Sequence, residues 1–144
     1  MHIQSQFREP REAVLQDLIR AHPLATVVVS NDGLLVNHFP LLFESAGEHG
    51  VLKGHIPAAN PLCAAIKDGC QAVAIFHGPE GYVSPSWYPS KHEHGKVVPT
   101  WNYAVVHAHG IATAVEDPDW LLQHLTDLTN QQELGQQELG QQQP

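Results

Sequence analysis

Residues 24–44 read LATVVVSNDGLLVNHFPLLFE, and this stretch decides the fold class. The β-branched run at 24–30 is typical of a buried strand. The Asn-Asp-Gly sequence at 31–33 favours the backbone conformation of a tight hairpin turn. The returning segment, 34–44, contains Pro40, which indicates a sheet edge, a bulge or a place where backbone is turned toward a ligand. We therefore predict a β-hairpin here.

Further extended segments follow the hairpin. Residues 51–56 predict a strand, and the run QAVAIFHG at 71–78 predicts a buried one, with GPEG at 78–81 turning it into another strand. Residues 97–115 predict one long strand, or two strands broken near Gly110. Because strands outnumber helices and their connections are short, the sequence predicts a mainly β, α+β fold. This is a small antiparallel barrel or sandwich with peripheral helices.

Three stretches carry helix signals, namely a proline or a good N-cap residue followed by apolar residues at helical spacing. The signal is clearest at Asn60, which precedes Pro61 as a favoured N-cap, and Gly69 ends that helix. The first helix begins at Pro10 and ends at the His22-Pro23 pair. The last begins at Asp117-Pro118, and its predicted inward stripe is Trp120, Leu121, Leu125 and Leu128.

Length and composition limit the possible functions. At 144 residues the chain is long enough for one compact domain, which we place at residues 1–130. Residues 131–144 repeat the unit QQELG with little apolar surface, so we predict a disordered tail, with a frayed helix as the alternative. Fifteen acidic against seven basic side chains give a formal charge of −8, which disfavours direct binding to DNA.

Cysteine usage and hydropathy indicate a cytoplasmic protein. Cys63 and Cys70 are too few for a disulfide framework and match no zinc pattern. No apolar run approaches the length that a membrane span needs, and the amino-terminal residues lack the apolar core of a signal peptide. We therefore expect a cytoplasmic protein with reduced thiols and no membrane partner.

Motifs that carry chemistry are few. The chain contains neither a GxGxxG nor a GxxxxGK[ST] phosphate loop and no GxSxG elbow, so no catalytic residues can be assigned. His92-x-His94 and His107-x-His109 each place two imidazoles on one face of an extended segment. Neither pair has a nearby cysteine, and such pairs are common in a chain with eleven histidines, so a polar strand face with a solvated loop is the favoured interpretation. We predict no metal site.

An aromatic loop, SPSWYPSKHEHGKVVPTWNY at 84–103, stands apart from this plain background. It interleaves hydroxyls, an amide and two lysines with Trp and Tyr rings. An anionic planar cofactor needs such polar groups for its phosphate and an aromatic or apolar wall for its ring. The alternative is a loop whose rings pack on the protein's own core. Spacing alone does not decide between the two.

Four segments, NHFPLLFE, LKGHIPAANP, FHGPEGYVSPSWYPSK and GKVVPTWNYAVVHAHG, together resemble the PaiB-type family of FMN-binding negative transcriptional regulators. The likeness runs from about Phe7 through the helix at Asp117. It implies an FMN-binding split β-barrel, similar in fold to pyridoxamine phosphate oxidases and flavin reductases, and a homodimer with flavin at the subunit interface. Family members continue with a further carboxy-terminal segment, which we expect this chain to lack.

The resemblance also implies where the flavin binds. His38 and Pro40 would lie along the isoalloxazine edge. Lys53, His55 and Asn60 would form a strand-to-helix turn near the phosphate, where the following helix begins. The aromatic loop would contribute hydroxyl, amide and indole groups from Ser84, Ser86, Thr100, Trp101 and Asn102.

The sequence therefore predicts a PaiB-type protein that acts through FMN binding rather than by direct readout of DNA. One alternative is a flavin-dependent oxidoreductase of the pyridoxamine phosphate oxidase or flavin reductase type. Its flavin would carry the redox step and the protein would position the flavin ring. A second alternative is a haem- or metal-binding split barrel that uses the paired histidines.

Overall fold

The computed structural model describes residues 2–89, 95 and 97–140 and contains three α-helices and six strands within them. The predicted mainly β, α+β class with peripheral helices is confirmed. In chain order the elements are α1 (Glu12–Ala21), β1 (Leu24–Ser30), β2 (Leu34–Pro40), β3 (Leu42–Glu44), β4 (Val51–Lys53), α2 (Pro61–Ala65), β5 (Cys70–Val83), β6 (Thr100–Ala112) and α3 (Pro118–Gly140), with 3-10 turns at Ser5–Phe7 and Pro85–Trp87.

The strands form two separate antiparallel sheets across the described residues. Four strands pair in the order β2-β1-β5-β6, and β3 pairs with β4 alone. The predicted hairpin is confirmed as β1 and β2, and its turn places Asp32 at φ 48° and Gly33 at φ 139°. Such backbone angles favour Gly and Asn/Asp, which explains the turn sequence.

Segment 34–44 is two strands rather than the single one predicted. β2 ends at Pro40, at the edge of the larger sheet, and β3 begins at Leu42 in the smaller sheet. Between them Leu41 donates its backbone N–H to the Pro23 carbonyl at 2.9 Å and is buried. The proline thus ends the ladder at an edge, as its missing N–H requires.

The turn predicted at 78–81 is wrong. β5 continues to Val83 with an irregular register between His77 and Glu80, and β6 pairs with it on both sides of that point. The bulge accommodates a proline without an N–H, so the strand continues. Since β1 pairs with β5 only as far as Phe76, residues 80–83 and 100–103 extend beyond the sheet as a two-stranded ribbon, which we call the arm.

Alternation along the strands separates a buried face from an outer one. Val27, Val29 and Phe76 face inward, and Leu62 of α2 and Ile19 of α1 join them in the core. Phe76 and Val29 have no solvent-exposed surface. The outer face of the four strands carries the intervening residues.

Helix α3 covers two of the four predicted residues, Trp120 and Leu128, and leaves the other two exposed. Leu121 and Leu125 are 41 % and 38 % exposed, whereas His124 is only 2 % exposed. Trp120, His124 and Leu128 follow each other at a spacing of four, so the covered face of α3 is centred on a histidine. The helix runs through Gly140 and so includes part of the glutamine-rich segment. In the described part of the chain, no helix combines the length and apolarity needed to cross a membrane.

Candidate functional site

A pocket of about 630 Å³ lies where α3 meets the outer face of β1 and β2. His38 of β2 belongs to its wall, and its Nδ1 lies 3.0 Å from the Thr26 hydroxyl of β1, its cross-strand partner. Two further histidines, His22 and His77, also line the pocket, and neither was predicted from the sequence as a site residue. The remaining lining residues are Pro23, Leu24, Ala25, Thr26, Pro40, Leu128 and Gln132.

The turn after β4 lies against the end of β2. Lys53 forms an ion pair with Glu44 of the adjacent strand β3. At Gly54 an added Cβ would lie 2.6 Å from Leu41 Cδ2 and 2.8 Å from Phe39 Cε2. The glycine is therefore required by close packing against the chain's own side chains.

His55 contacts α3, although the residue as a whole remains exposed. Its Nδ1 lies 3.3 Å from Nε2 of His124, and Trp120 stacks on the His124 ring with centroids 5.3 Å apart. Burial lowers the pKa of His124, and the positive charges of His55 and Lys53 lower it further, while Asp127 opposes the shift. The sequence missed His124 as a site residue, although its position four residues after Trp120 was a usable signal.

Asn60 has two hydrogen-bonding roles within the chain. Its Oδ1 accepts from the backbone N–H of Leu62 at 2.9 Å, which is the predicted N-cap of α2. Its Nδ2 donates to Oδ1 of Asn37 at 2.8 Å and so ties α2 to β2 beside His38. Because the cap occupies the first free amide of a five-residue helix, α2 offers little to an anion.

The remaining predicted residues lie on and beside the arm. Ser84 and Ser86 share a hydroxyl hydrogen bond of 2.7 Å, and Ser84 caps the turn at Pro85–Trp87. The Trp101 indole N–H donates to Glu80 at 3.3 Å, and its ring lies 6.0 Å from that of Tyr82 across the strand pair. The cross-strand partners of Thr100 and Asn102 are Val83 and Gly81.

The ten predicted residues thus fall into two groups in one chain. One group of five lies at the end of β2 or on elements that contact this end, and it consists of His38, Pro40, Lys53, His55 and Asn60. His107 lies in the same cross-strand row as His38, whereas Trp101 lies six residues farther along β6. At about 3.3 Å per residue, Trp101 therefore lies about 20 Å from the His38 row along the strands, and Pro40 lies two residues closer to the arm.

Comparison with known proteins decides the family. The family model described as "Putative FMN-binding domain" matches residues 1–143. This chain belongs to that FMN-binding-domain family. The match confirms the resemblance to PaiB-type proteins, because the chain is also 31 % identical over 127 residues to the protease synthase and sporulation protein PAI 2 of Bacillus subtilis.

Relatives of this FMN-binding-domain protein occur in bacteria and fungi. The B. subtilis match covers 88 % of this chain and 58 % of the relative. An uncharacterized protein of Saccharomyces cerevisiae is 33 % identical over 104 residues, 70 % of this chain and 61 % of its own. An uncharacterized protein of Emericella nidulans is 30 % identical over 138 residues, 76 % and 55 % respectively. The chain therefore spans roughly six-tenths of the length of these relatives.

The paired histidines lie apart from the pocket in this FMN-binding-domain protein. His107 and His109 are exposed on the outer face of β6, with ring centroids 6.3 Å apart. Residues 2–89, 95 and 97–140 contain no group of three or more His, Cys, Asp or Glu side chains that could hold a metal ion. His92-x-His94 lies outside the described residues.

Proposed function

We propose that this protein binds FMN and acts as a PaiB-type regulator through the occupancy of its flavin site. The match of the FMN-binding-domain model along residues 1–143 is the observation that carries this proposal. The pocket beside β2 supports it, because two of its lining residues, His38 and Pro40, belong to the NHFP segment.

The pocket suits the ring of a flavin. Cofactor pockets measure about 300–1,000 Å³ and combine apolar walls with a few polar groups. This pocket measures about 630 Å³. Its apolar walls include Leu24, Pro40 and Leu128, and its polar groups include His38 and Thr26. Bound FMN would supply hydride or electron transfer. The chain's own residues would orient the ring and exclude water from it.

Lys53 is the cation that we assign to the phosphate. It is the last residue of β4, directly before Gly54, which packs against Phe39 and Leu41, and its side chain is 28 % exposed. Its present partner is Glu44, so a phosphate must compete with a carboxylate for the ammonium group. We infer that phosphate binding replaces this ion pair, and the two side chains should then have opposite effects on affinity.

The arm would complete the site from a second copy of the chain. Within one chain Trp101 lies about 20 Å from the His38 row along β6, and no residue of the arm lines the pocket. The outer face is suited to pair with another copy, because two of its rows carry no fixed charge in a chain of net charge −8. These rows are Val36-Val28-Val73-His109 and His38-Thr26-Ile75-His107. We therefore propose a homodimer.

Regulation would not require direct DNA contact. The sequence holds seven Lys and Arg residues against fifteen acids, and nucleic-acid affinity depends on clustered cations. Flavin occupancy, or the redox state of the flavin, would instead alter what the protein associates with. The locus of action that we propose is the cytoplasm.

An FMN titration of the purified chain tests the proposal. We expect one FMN per chain, and the Lys53→Met variant should bind about 10-fold to 100-fold more weakly, since a hydrogen bond to a charged group contributes about 1.5–3 kcal/mol. Glu44→Gln should bind more tightly than the wild type, because it removes the competing carboxylate. Lys67→Met, on the surface after α2, is the matched control and should leave affinity unchanged.

Two outcomes would overturn parts of this scheme. If the purified chain does not bind FMN at millimolar concentration, the cofactor assignment as a whole is wrong. If Lys53→Met and Glu44→Gln both bind like the wild type, FMN binds but Lys53 does not hold its phosphate. Turnover of a reduced nicotinamide by the FMN-loaded protein would favour the oxidoreductase alternative over a purely regulatory role.

A further inference from the structure

The contact between α3 and the sheet region centres on one buried histidine. His124 is 2 % exposed and is the most deeply covered described residue of α3. Its Nε2 faces His55 Nδ1 at 3.3 Å, and Trp120 stacks on its ring. Its other nitrogen, Nδ1, has no hydrogen-bond partner among the described residues. An unpaired buried polar atom costs free energy, and α3 would recover a hydrogen bond to water by leaving this position.

The number of protons on the pair determines whether the contact can form. A neutral pair shares one N–H···N hydrogen bond, because one ring nitrogen donates and the other accepts. A single added proton preserves this bond, since an imidazolium can donate to a neutral imidazole. After a second proton both facing nitrogens carry hydrogen. Neither can then accept, and two like charges lie about 3.3 Å apart, one on the exposed His55 ring and one on the buried His124 ring.

The surrounding charges do not relieve that repulsion. Lys53 of β4 adds a third positive charge on the His55 side, although Glu44 of β3 pairs with it. Asp127, one turn along α3, is the acidic group near His124 and acts in the opposite direction. Burial and the two neighbouring cations together outweigh it, so the docked helix disfavours a proton on His124.

We propose that the His55–His124 contact is an acid-sensitive latch, which holds α3 over the pocket at neutral pH and releases it when both imidazoles are protonated. The same helix supplies Leu128 and Gln132 to the pocket wall, one and two turns beyond His124. Release of the helix would therefore open the pocket. That last step rests on the proposed FMN site, whereas the latch itself does not.

The direction of the pH effect follows from linkage. The pKa of His124 is lowered when α3 is docked, so the undocked state binds more protons as the pH falls through the ordinary imidazole range near 6.5. Docking is fully stable above that range. It weakens by up to about tenfold for each pH unit below it, until the docked pKa is reached.

Hydrogen exchange of the full chain measures this release. We compare amide protection in residues 118–132 with that in residues 72–76 at pH 7.5 and pH 5.0, after correction for the intrinsic pH dependence of exchange. In the wild type we expect α3 to lose protection several-fold at pH 5.0 while the core strand keeps it. His124→Leu fills the same buried position without a titratable group, so its α3 should stay protected at both pH values.

Two further variants make the test specific. His49→Gln changes a histidine that is 75 % exposed and should respond to pH like the wild type. If His124→Leu fails to fold, His55→Gln removes one of the two charges and should reduce the loss of protection, because only the burial of His124 and the charge of Lys53 then oppose its proton. Unchanged protection of α3 in the wild type, or equal loss in His124→Leu, would overturn the latch. With added FMN, release at pH 5.0 from the wild type alone supports pocket opening; if no variant binds FMN, the flavin site fails while the exchange data still decide the latch.

Discussion

Replacing Asn60 separates the folding role of this residue from its proposed role at the flavin phosphate. In the wild type Asn60 caps α2 through Leu62 and donates to Asn37 at 2.8 Å. Loss of an N-cap costs about 1 kcal/mol, and loss of a side-chain hydrogen bond between half-buried groups costs about another 1 kcal/mol. We therefore expect Asn60→Ala to lower the free energy of unfolding by about 2 kcal/mol.

Substitutions that keep only one of the two hydrogen bonds separate their contributions to the free energy of unfolding. Asn60→Ser retains a cap acceptor but loses the amide donor, so it should cost about 1 kcal/mol. Asn60→Asp also retains the cap, and the Asn37 amide can turn to donate to the new carboxylate, so it should cost less than about 1 kcal/mol. A double-mutant cycle of Asn60→Ala with Asn37→Ala should give a coupling energy of about 1 kcal/mol.

Urea unfolding followed by tryptophan fluorescence gives these free energies, and thermal unfolding should show Asn60→Ala melting about 4–8 °C lower in a domain of this size. The reasoning is refuted if Asn60→Ala costs under about 0.5 kcal/mol, or if the cycle shows no coupling. Asn60→Asp then becomes the informative variant for the ligand. It stays folded but places a negative charge beside the proposed phosphate, so weaker FMN binding at preserved stability supports a ligand role.

Two smaller predictions concern backbone positions. Gly54→Ala should destabilise the protein by about 1–3 kcal/mol in urea unfolding, because the new Cβ would overlap Leu41 and force repacking. As the control, the new Cβ of Gly110→Ala meets no atom within 4 Å, so this variant should cost under about 1 kcal/mol. Equal effects of the two substitutions would contradict the close-packing argument. Asp117→Ala should speed hydrogen exchange in the first turn of α3 by about fivefold, since the Asp117 carboxylate accepts from the Asp119 backbone N–H at 2.9 Å. Asp117→Asn keeps the acceptor and is the control. Identical exchange in both variants would contradict the capping role of Asp117.

Features that depend on neighbouring residues were predictable from sequence. The β1–β2 hairpin was predicted because its turn needs the unusual backbone angles that Asp32 and Gly33 adopt, and the consecutive residues 31–33 are of the types that favour these angles. The N-cap at Asn60 was predicted for the same reason, since cap and helix are adjacent. Local chemistry of this kind does not depend on what the rest of the chain does.

Features that depend on distant partners were predicted wrongly or missed. The residues at 78–81 have turn chemistry, but pairing with β6 continues on both sides of them and makes the segment a bulge. On α3, periodicity alone favoured Leu121 and Leu125, whereas the covered position is His124 because His55, 69 positions away, supplies its partner. The grouping of the predicted site residues is likewise a property of sheet register, which single segments do not encode.

The segment LKGHIPAANP shows why family resemblance and ligand contact must be tested separately. Gly54 in it is required by Phe39 and Leu41, and Asn60 by α2 and Asn37, so both residues already have roles in the chain's own packing. A substitution at either position would reduce FMN binding simply by loosening the end of β2. Lys53 differs, because its ion pair with Glu44 is partly exposed and such pairs contribute little to stability. Of the residues in this segment, Lys53 is therefore the one at which lost affinity would report on the ligand itself.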